Sequence, residues 1–378
     1  MRVAMFQRIF AHYQGGLVQA LARSTEHEYN FFGDRRDPCN SGIEAYRFAE
    51  KMRYRYCTTW HLNHRLAWQC GAISAACSRQ FDVLILEGSL SIVSNWFAII
   101  LGRAMGKRVL LYGHGSLRRD TGLKRLLKTV FYKLADGLLL YGKRGRDLEI
   151  QAGLRAERLY IVYNSLDEDT IRAQSGKVDD TTCRGLREEL WGVRANSPVL
   201  LSVGRLTKVK RLNLLIEAAG LLNSRGIPVA VHVVGDGPEK VRLQQIAERL
   251  GVLVHFSGAV HGEQQLSVMI SAADVMVIPG AAGLSVIHSL SYGTPVVTND
   301  DLDNQMPEAE AIVPGENGLL FKAGDANSLA DAIMGILSRL PRGEHTHQQC
   351  RRIIDSCYNP DRMSAAFDAA VAGRPACE

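Results

Sequence analysis

The stretch PVLLSVGRLTKVKRLNLLIEAAGLLNSRGIPVAVHVVG, Pro198 to Gly235, holds two short apolar blocks separated by a longer periodic segment. PVLLSVG and VAVHVVG are apolar without alternation, which marks strands buried on both faces, as in parallel sheets. Between them, LNLLIEAAGLL repeats its apolar positions at helical spacing and ends near Gly226. Strand, helix, strand of this size is a βαβ unit.

The pattern continues outward in both directions. Downstream come a helix from Glu239 to Leu250, the strand LVHFSG, a helix, DVMVIPG, a helix and PVVTN. Upstream stand RVAMFQ, a helix after Gly15-Gly16, then FDVLILE, KRVLLY, GLLLY and RLYIVYN with helical text between. Around 171–197 the sequence turns polar and charge-rich, which predicts a linker. The expected organisation is an α/β chain with two doubly wound parallel-sheet domains at 1–170 and 198–355. A final helix over 356–378 has apolar spacing suited to packing back on the first domain.

At 378 residues, with 46% hydrophobic and 22% charged, the chain can bury two cores and falls outside the disordered classes. The run NWFAIILG is far shorter than the ~18–20 apolar residues that cross a bilayer. The opening MRVAMFQRIFAH holds Arg2 and Arg8 and has no small-residue cleavage site, so a cytoplasmic location is expected. The eight cysteines form no C-x-x-C pair and are expected as reduced thiols. Net charge is +6, yet Arg103 to Lys133 carries nine basic residues against Asp120 alone. One segment therefore holds the whole positive excess.

Ligands of parallel α/β sheets bind beyond the carboxyl ends of strands, so the strand ends carry the candidate chemistry. Gly15 and Gly16 open a helix and allow close backbone approach to an anion; a tight turn is the alternative. His114 sits between two glycines just past KRVLLY, exposed to whatever enters there, or else structural. Arg205 follows a strand, and Lys210 stands five residues on at a helix start. A guanidinium and an ammonium at a helix N-terminus suit a diphosphate, against the alternative of a solvated basic helix start. VVGDGP is a strand-to-helix turn and a poor dinucleotide fingerprint, because Lys240 takes the place of the third glycine. In PGAAGLSVIHSL, small residues let the amides at Gly283, Leu284 and Ser285 face a phosphate from a helix start. His288 lies one turn further on.

GRLTKVK, FSGAVHGEQQL and GLSVIHSLSYGTPVV, in this order, resemble the retaining glycosyltransferases of family 4, whose fold is GT-B: two Rossmann-like domains facing a cleft. The resemblance covers most of the chain and is strongest from Val199 to Ala332. It implies that Arg205 and Lys210 bind the donor diphosphate and steady the leaving group. Gly283, Leu284 and Ser285 would contact the phosphates or sugar, Gly16 would approach from the first domain, and His114 would sit beside the transferred sugar. The family's Glu-x7-Glu pair aligns with Gly280 and His288, so both carboxylates are absent. The sequence resembles a branch with P-G-x-x-G-L-x-x-x-H and altered donor contacts.

The resemblance implies transfer from a nucleotide-sugar donor, a co-substrate and not a cofactor, to a glycan or lipid-linked acceptor with retention and without a metal. In TGLKRLLKTVFYKL (121–134), apolar residues at helical spacing alternate with Lys124, Arg125, Lys128 and Lys133. Such a helix can lie on an anionic membrane surface, or be a core helix with a solvated basic face. Nucleic acid is not an expected partner, since no aromatic residues interleave with the basic ones. Two alternatives remain open: a nucleotide-sugar epimerase on the same fold and a non-catalytic nucleotide- or glycan-binding protein.

Overall fold

The computed structural model describes residues 1–36, 44–62, 66–192 and 195–375. Cys39 and Cys377 lie outside them; the six described cysteines are free thiols. The chain divides into two units, Met1–Asp167 with Asn359–Glu378, and Glu168–Tyr358.

Among the described residues the first unit has nine strands: β1 (Arg2–Ile9), β2 (Glu28–Asp34), β3 (Tyr54–Tyr56), β4 (Thr59–His61), β5 (Ala67–Gln69), β6 (Val83–Glu87), β7 (Arg108–Gly113), β8 (Gly137–Leu140) and β9 (Leu159–Ile161). Seven of them form one sheet in the order β3-β2-β1-β6-β7-β8-β9, while β4 and β5 form a separate antiparallel pair. All neighbours in the large sheet run parallel, with Val3 opposite Val83 and Leu84 opposite Val109. Helices α1 (Gly15–Ala22), α2 (Ala72–Cys77), α3 (Val93–Ala104), α4 (Gly122–Leu134) and α5 (Lys143–Gln151) make the crossovers. Val83 to Leu86 are wholly buried, as unalternated strand sequence requires of a sheet covered on both faces.

The second unit begins with α6 (Glu168–Ser175) and α7 (Asp180–Trp191). These helices occupy most of the stretch expected as a linker at 171–197; residues 193 and 194 lie outside the described ones. The polar composition misled because the helices bury little apolar surface, Ile171, Cys183 and Trp191 among it. They are tied down by charge instead: Arg187 meets Asp274 at 2.6 Å, and Arg351 reaches Glu168.

Then follow β10 (Val199–Val203), α8 (Leu212–Ser224), β11 (Ala230–Val234), α9 (Lys240–Leu250), β12 (Val254–Gly258), α10 (Glu263–Ser271), β13 (Val275–Ile278), α11 (Leu284–Ser291), β14 (Val296–Asn299), β15 (Gly318–Phe321), α12 (Ala326–Arg339) and α13 (Glu344–Ser356). The six strands are parallel in the order β12-β11-β10-β13-β14-β15. This is the 3-2-1-4-5-6 order of the dinucleotide-binding fold.

The final helix, α14 (Pro360–Ala372), belongs to the first unit. Asn359 caps it by accepting from the Arg362 amide at 2.9 Å, and Pro360 stands in the first turn, where a missing N–H costs nothing. Met363, Phe367, Ala370 and Val371 pack with Leu17, Val18 and Leu21 of α1 and with Tyr112. Asp368 fixes the helix by accepting from Tyr29 Oη at 2.8 Å and Ser24 Oγ at 2.9 Å. The expected helix at 356–378 is thus shorter, and 376–378 lie outside the described residues.

Candidate functional site

Strand order in the second unit reverses between β10 and β13, and the carboxyl ends of these two strands form the switch point where such sheets bind ligands. The loop after β10 carries Arg205, exposed, and is anchored by the buried Leu206. Leu206 donates its amide to Asp236 O at 2.9 Å and accepts from the Glu239 amide at 3.1 Å. The GDG turn sits directly under this loop: a Cβ on Gly235 would stand 1.9 Å from Gly204 O, and one on Gly237 2.4 Å from Leu206 O. Both glycines also have positive φ. They are therefore a buttress for the Arg205 loop, which accounts for them without a dinucleotide.

Lys210 lies in a 3-10 turn, Lys208–Lys210, ahead of α8 and donates from Nζ to Ala281 O at 2.7 Å. Burial pushes its pKa down, partly opposed by Glu308. The β10 and β13 loops are wedged together: a Cβ on Gly280 would fall 1.9 Å from Val209 O and 2.7 Å from Lys210 C. No side chain, and so no carboxylate, fits at 280 on this backbone. Asn299 Nδ2 donates to Pro279 O and Gly280 O at 3.0 and 2.9 Å, and Gln305 accepts from the Ala282 amide at 2.7 Å. Thus held, the loop ends at Gly283, the N-cap of α11. The amides of Leu284 and Ser285, in the first turn, have no helical acceptor and mark the positive end of the helix.

His288, in the second turn of α11, contacts Glu263 Oε1 through Nε2 at 2.7 Å. Tyr292 donates its hydroxyl to the same oxygen at 2.6 Å. Burial raises the Glu263 pKa, but the hydrogen bond and charge of His288 together with the hydrogen bond from Tyr292 outweigh it and hold the carboxyl below its ordinary 4.5. Sequence reasoning missed Glu263, Asn299 and Gln305. Glu263 stands inside FSGAVHGEQQL, but nothing local signals a partner 25 residues away.

Gly15, Gly16 and His114 belong to the first unit. Gly15 and Gly16 are the first residues of α1, and their missing side chains have packing reasons: a Cβ on Gly16 would meet Leu166 O and Pro360 Cγ at 2.8 Å, and one on Gly15 the Tyr46 ring at 2.9 Å. His114, past the end of β7, stacks edge-on against Tyr141 at 4.6 Å. Burial lowers its pKa, with Glu87 opposing, so the ring is neutral at pH 7. It lines a cavity of about 490 Å³ with Gln7, Arg8, Gln14, Glu87 and Tyr141. Arg8 Nε donates to Glu87 Oε1 at 2.8 Å, while Gln7 Nε2 is buried with no partner.

Among the described residues no group of three or more His, Cys, Asp or Glu is arranged to hold a metal ion. No described helix is long and apolar enough to cross a membrane. On α4, Leu123 is 70% and Leu126 59% exposed, with Leu127 and Val130 also exposed. The neighbouring α3 exposes Phe97, Ile100 and Leu101, and Met105 just past its end is exposed as well. Of α4, Phe131 and Tyr132 are buried in the core of the first unit.

Residues 188–353, which hold the whole switch-point site, match the family described as glycosyl transferases group 1. This segment is similar to the group 1 glycosyl transferases. The chain is 33% identical over 186 residues to the lipopolysaccharide core biosynthesis glycosyltransferase LpsE of Rhizobium meliloti, covering 48% of this chain and 52% of that protein. It is 34% identical over 213 residues to the D-inositol 3-phosphate glycosyltransferase of Geodermatophilus obscurus, covering 49% and 46%. These matches span about half the length of the curated relatives. The solved structure of Anabaena Alr3699/HepE in complex with UDP aligns over 98% of this chain and 100% of that one, with a TM-score of 0.72 and 17% identity. The apo form of the lipopolysaccharide outer core galactosyltransferase WaaB aligns over 98% and 99%, at 0.71 and 17%. The fold around the group 1 segment is accordingly GT-B.

Proposed function

We propose that this chain is a retaining glycosyltransferase that moves a sugar from a nucleotide-sugar donor to a glycan or lipid-linked acceptor in cell-surface glycan synthesis. The observation that carries the reading is the braced pair of loops at the β10/β13 switch point, which places Lys210 against the 279–283 loop just ahead of the α11 amides. Charge grows on the diphosphate as the sugar departs, and fixed cations and amides stabilise it without reorganising. Arg205 and Lys210 supply the cations; Gly283, Leu284 and Ser285 supply backbone contacts to phosphate or sugar. His114, neutral, is a hydrogen-bonding neighbour for the transferred sugar and no charge source. The acceptor hydroxyl attacks an oxocarbenium-like centre with the anomeric configuration kept.

The reading assigns no metal a role, since Arg205 and Lys210 would supply the positive charge that balances the diphosphate. His288 marks a branch in which donor contacts differ from the Glu-x7-Glu pattern. The exposed apolar faces of α3 and α4, rimmed by Arg103, Lys124, Arg125 and Lys133, suit an anionic bilayer on which a lipid-linked acceptor resides. Each basic residue adds about 1 kcal/mol there.

A thermal-shift panel of UDP- and GDP-sugars, followed by acceptor assays, tests the reading, since a ligand selective for the native state raises the melting temperature. Stabilisation by a nucleotide sugar, with EDTA-insensitive transfer and a retained anomeric configuration by NMR, supports it. Absence of both binding and donor hydrolysis refutes it.

A further inference from the structure

His288 stands where a donor-contacting carboxylate is expected from the family pattern, and its ring is tied to a carboxylate from another helix. Glu263 is the first residue of α10, and one of its oxygens, Oε1, receives both His288 Nε2 at 2.7 Å and the Tyr292 hydroxyl at 2.6 Å. His288 and Tyr292 are four residues apart and share a face of α11, their rings 5.5 Å apart. Glu263 therefore bridges two successive turns of the helix that begins at the switch point.

An ionised carboxylate only accepts hydrogen bonds, so the nitrogen facing it must carry the proton. The two hydrogen bonds that converge on Oε1 favour the ionised form of Glu263. In the neutral imidazole this leaves Nδ1 as a bare lone pair, and Nδ1 has no protein partner among the described residues. A carboxylate at 288 would offer only acceptors; an imidazole with Nε2–H committed does the same.

We propose that Glu263 is a positioning residue for donor binding: it fixes His288 in the Nε2–H form and so leaves Nδ1 to accept a hydrogen bond from a hydroxyl of the nucleotide sugar. The inference rests on the glycosyltransferase reading. It assigns the lost acceptor to a relay between two helices, since Gly280 has no room for one.

The test uses the full chain with UDP-glucose and GDP-mannose as probes, titrated calorimetrically, and ring-nitrogen NMR of ¹⁵N-histidine-labelled protein. The His288 signals are assigned by their loss in His288→Gln. Wild type is expected to show a single Nε2–H tautomer for His288. Glu263→Ala should mix the tautomers and raise the donor Kd about three- to tenfold, the range of one lost hydrogen bond. Glu263→Gln, whose amide oxygen still accepts from both Nε2–H and Tyr292, should keep the tautomer and bind within about threefold of wild type. A Glu263→Ala chain with unchanged ring signals and unchanged Kd overturns the positioning role, as does a Glu263→Gln chain as impaired as Glu263→Ala. A wild type that binds neither probe overturns the hydroxyl contact through the failure of the glycosyltransferase reading itself, and the ring spectra then tell the two failures apart.

Discussion

Gly280→Ala probes the wedge between the two switch-point loops directly. The added Cβ would lie 1.9 Å from Val209 O, 2.7 Å from Lys210 C and 2.8 Å from Lys210 Cα, against the 3.0 Å below which real Cβ contacts essentially do not occur. All three neighbours are backbone, so no side chain can swing away. The loops must part by about 1 Å, and forcing a methyl into such a contact costs about 1–3 kcal/mol. The displacement falls on the turn that carries Lys210 and on Ala281 O, its hydrogen-bond acceptor. A misplacement of this size near the reacting groups costs about a hundredfold in rate. Urea unfolding should therefore show a lowered midpoint with unchanged slope, and transfer assays a fall in kcat well beyond the stability loss. Gly280→Glu should do worse than Gly280→Ala and restore nothing. A Gly280→Ala chain with wild-type stability and turnover would falsify the wedge.

Further outcomes follow from other parts of the molecule. Arg205→Ala and Lys210→Ala should each lose most transfer activity, about 10²–10³-fold if each stabilises the leaving group, and near-normal turnover in both removes the assigned role. His232, buried on β11 against Ser257 Oγ at 2.7 Å, has its pKa pushed down from 6.5 to about 4 by burial, with His255 adding to the effect. Below pH 6.5 the unfolded chain binds a proton that the folded one refuses, so stability should fall by about 3 kcal/mol between pH 6.5 and 4. His232→Leu should flatten that slope in urea melts taken across this range, and an unaltered slope refutes the assignment. Replacing Lys124 and Arg125 by Glu should abolish flotation with anionic vesicles while leaving the thermal response to donor intact; unchanged flotation removes α4 from the membrane proposal. Gly16→Val should destabilise the first unit through clashes with Leu166 O and Pro360, read as a lower urea midpoint.

The long apolar strands were legible because burial on both faces leaves unalternated sequence: β1, β6, β7, β10, β11 and β13 all stand where such runs predict them. Short or half-polar strands such as β3 and β15 carry no such signal, since Tyr54–Tyr56 is mostly exposed and Gly318–Phe321 is only partly buried. The polar helices α6 and α7 read as a linker for the same reason: ion pairs such as that of Arg187 with Asp274, 87 residues apart, leave no periodic trace. At the site, the sequence points to strand ends, whereas the tertiary partners of the residues there are not encoded in spacing. At Gly16, the opening of a helix suggests close approach of an anion, and the structure adds a packing reason for glycine, since a Cβ there would meet Leu166 and Pro360. Glu263, Asn299 and Gln305 reach the site through tertiary contacts that spacing does not encode.

The placement of α14 has a consequence for biosynthesis. Domains usually complete themselves in order as they leave the ribosome, the N-terminal one first. Here the first sheet lacks Phe367 and Val371, and with them part of one of its faces, until the whole second unit has been translated. The later unit can therefore reach its native state sooner, while Leu17, Val18 and Leu21 wait uncovered, a window in which a nascent chain would need a chaperone's shelter.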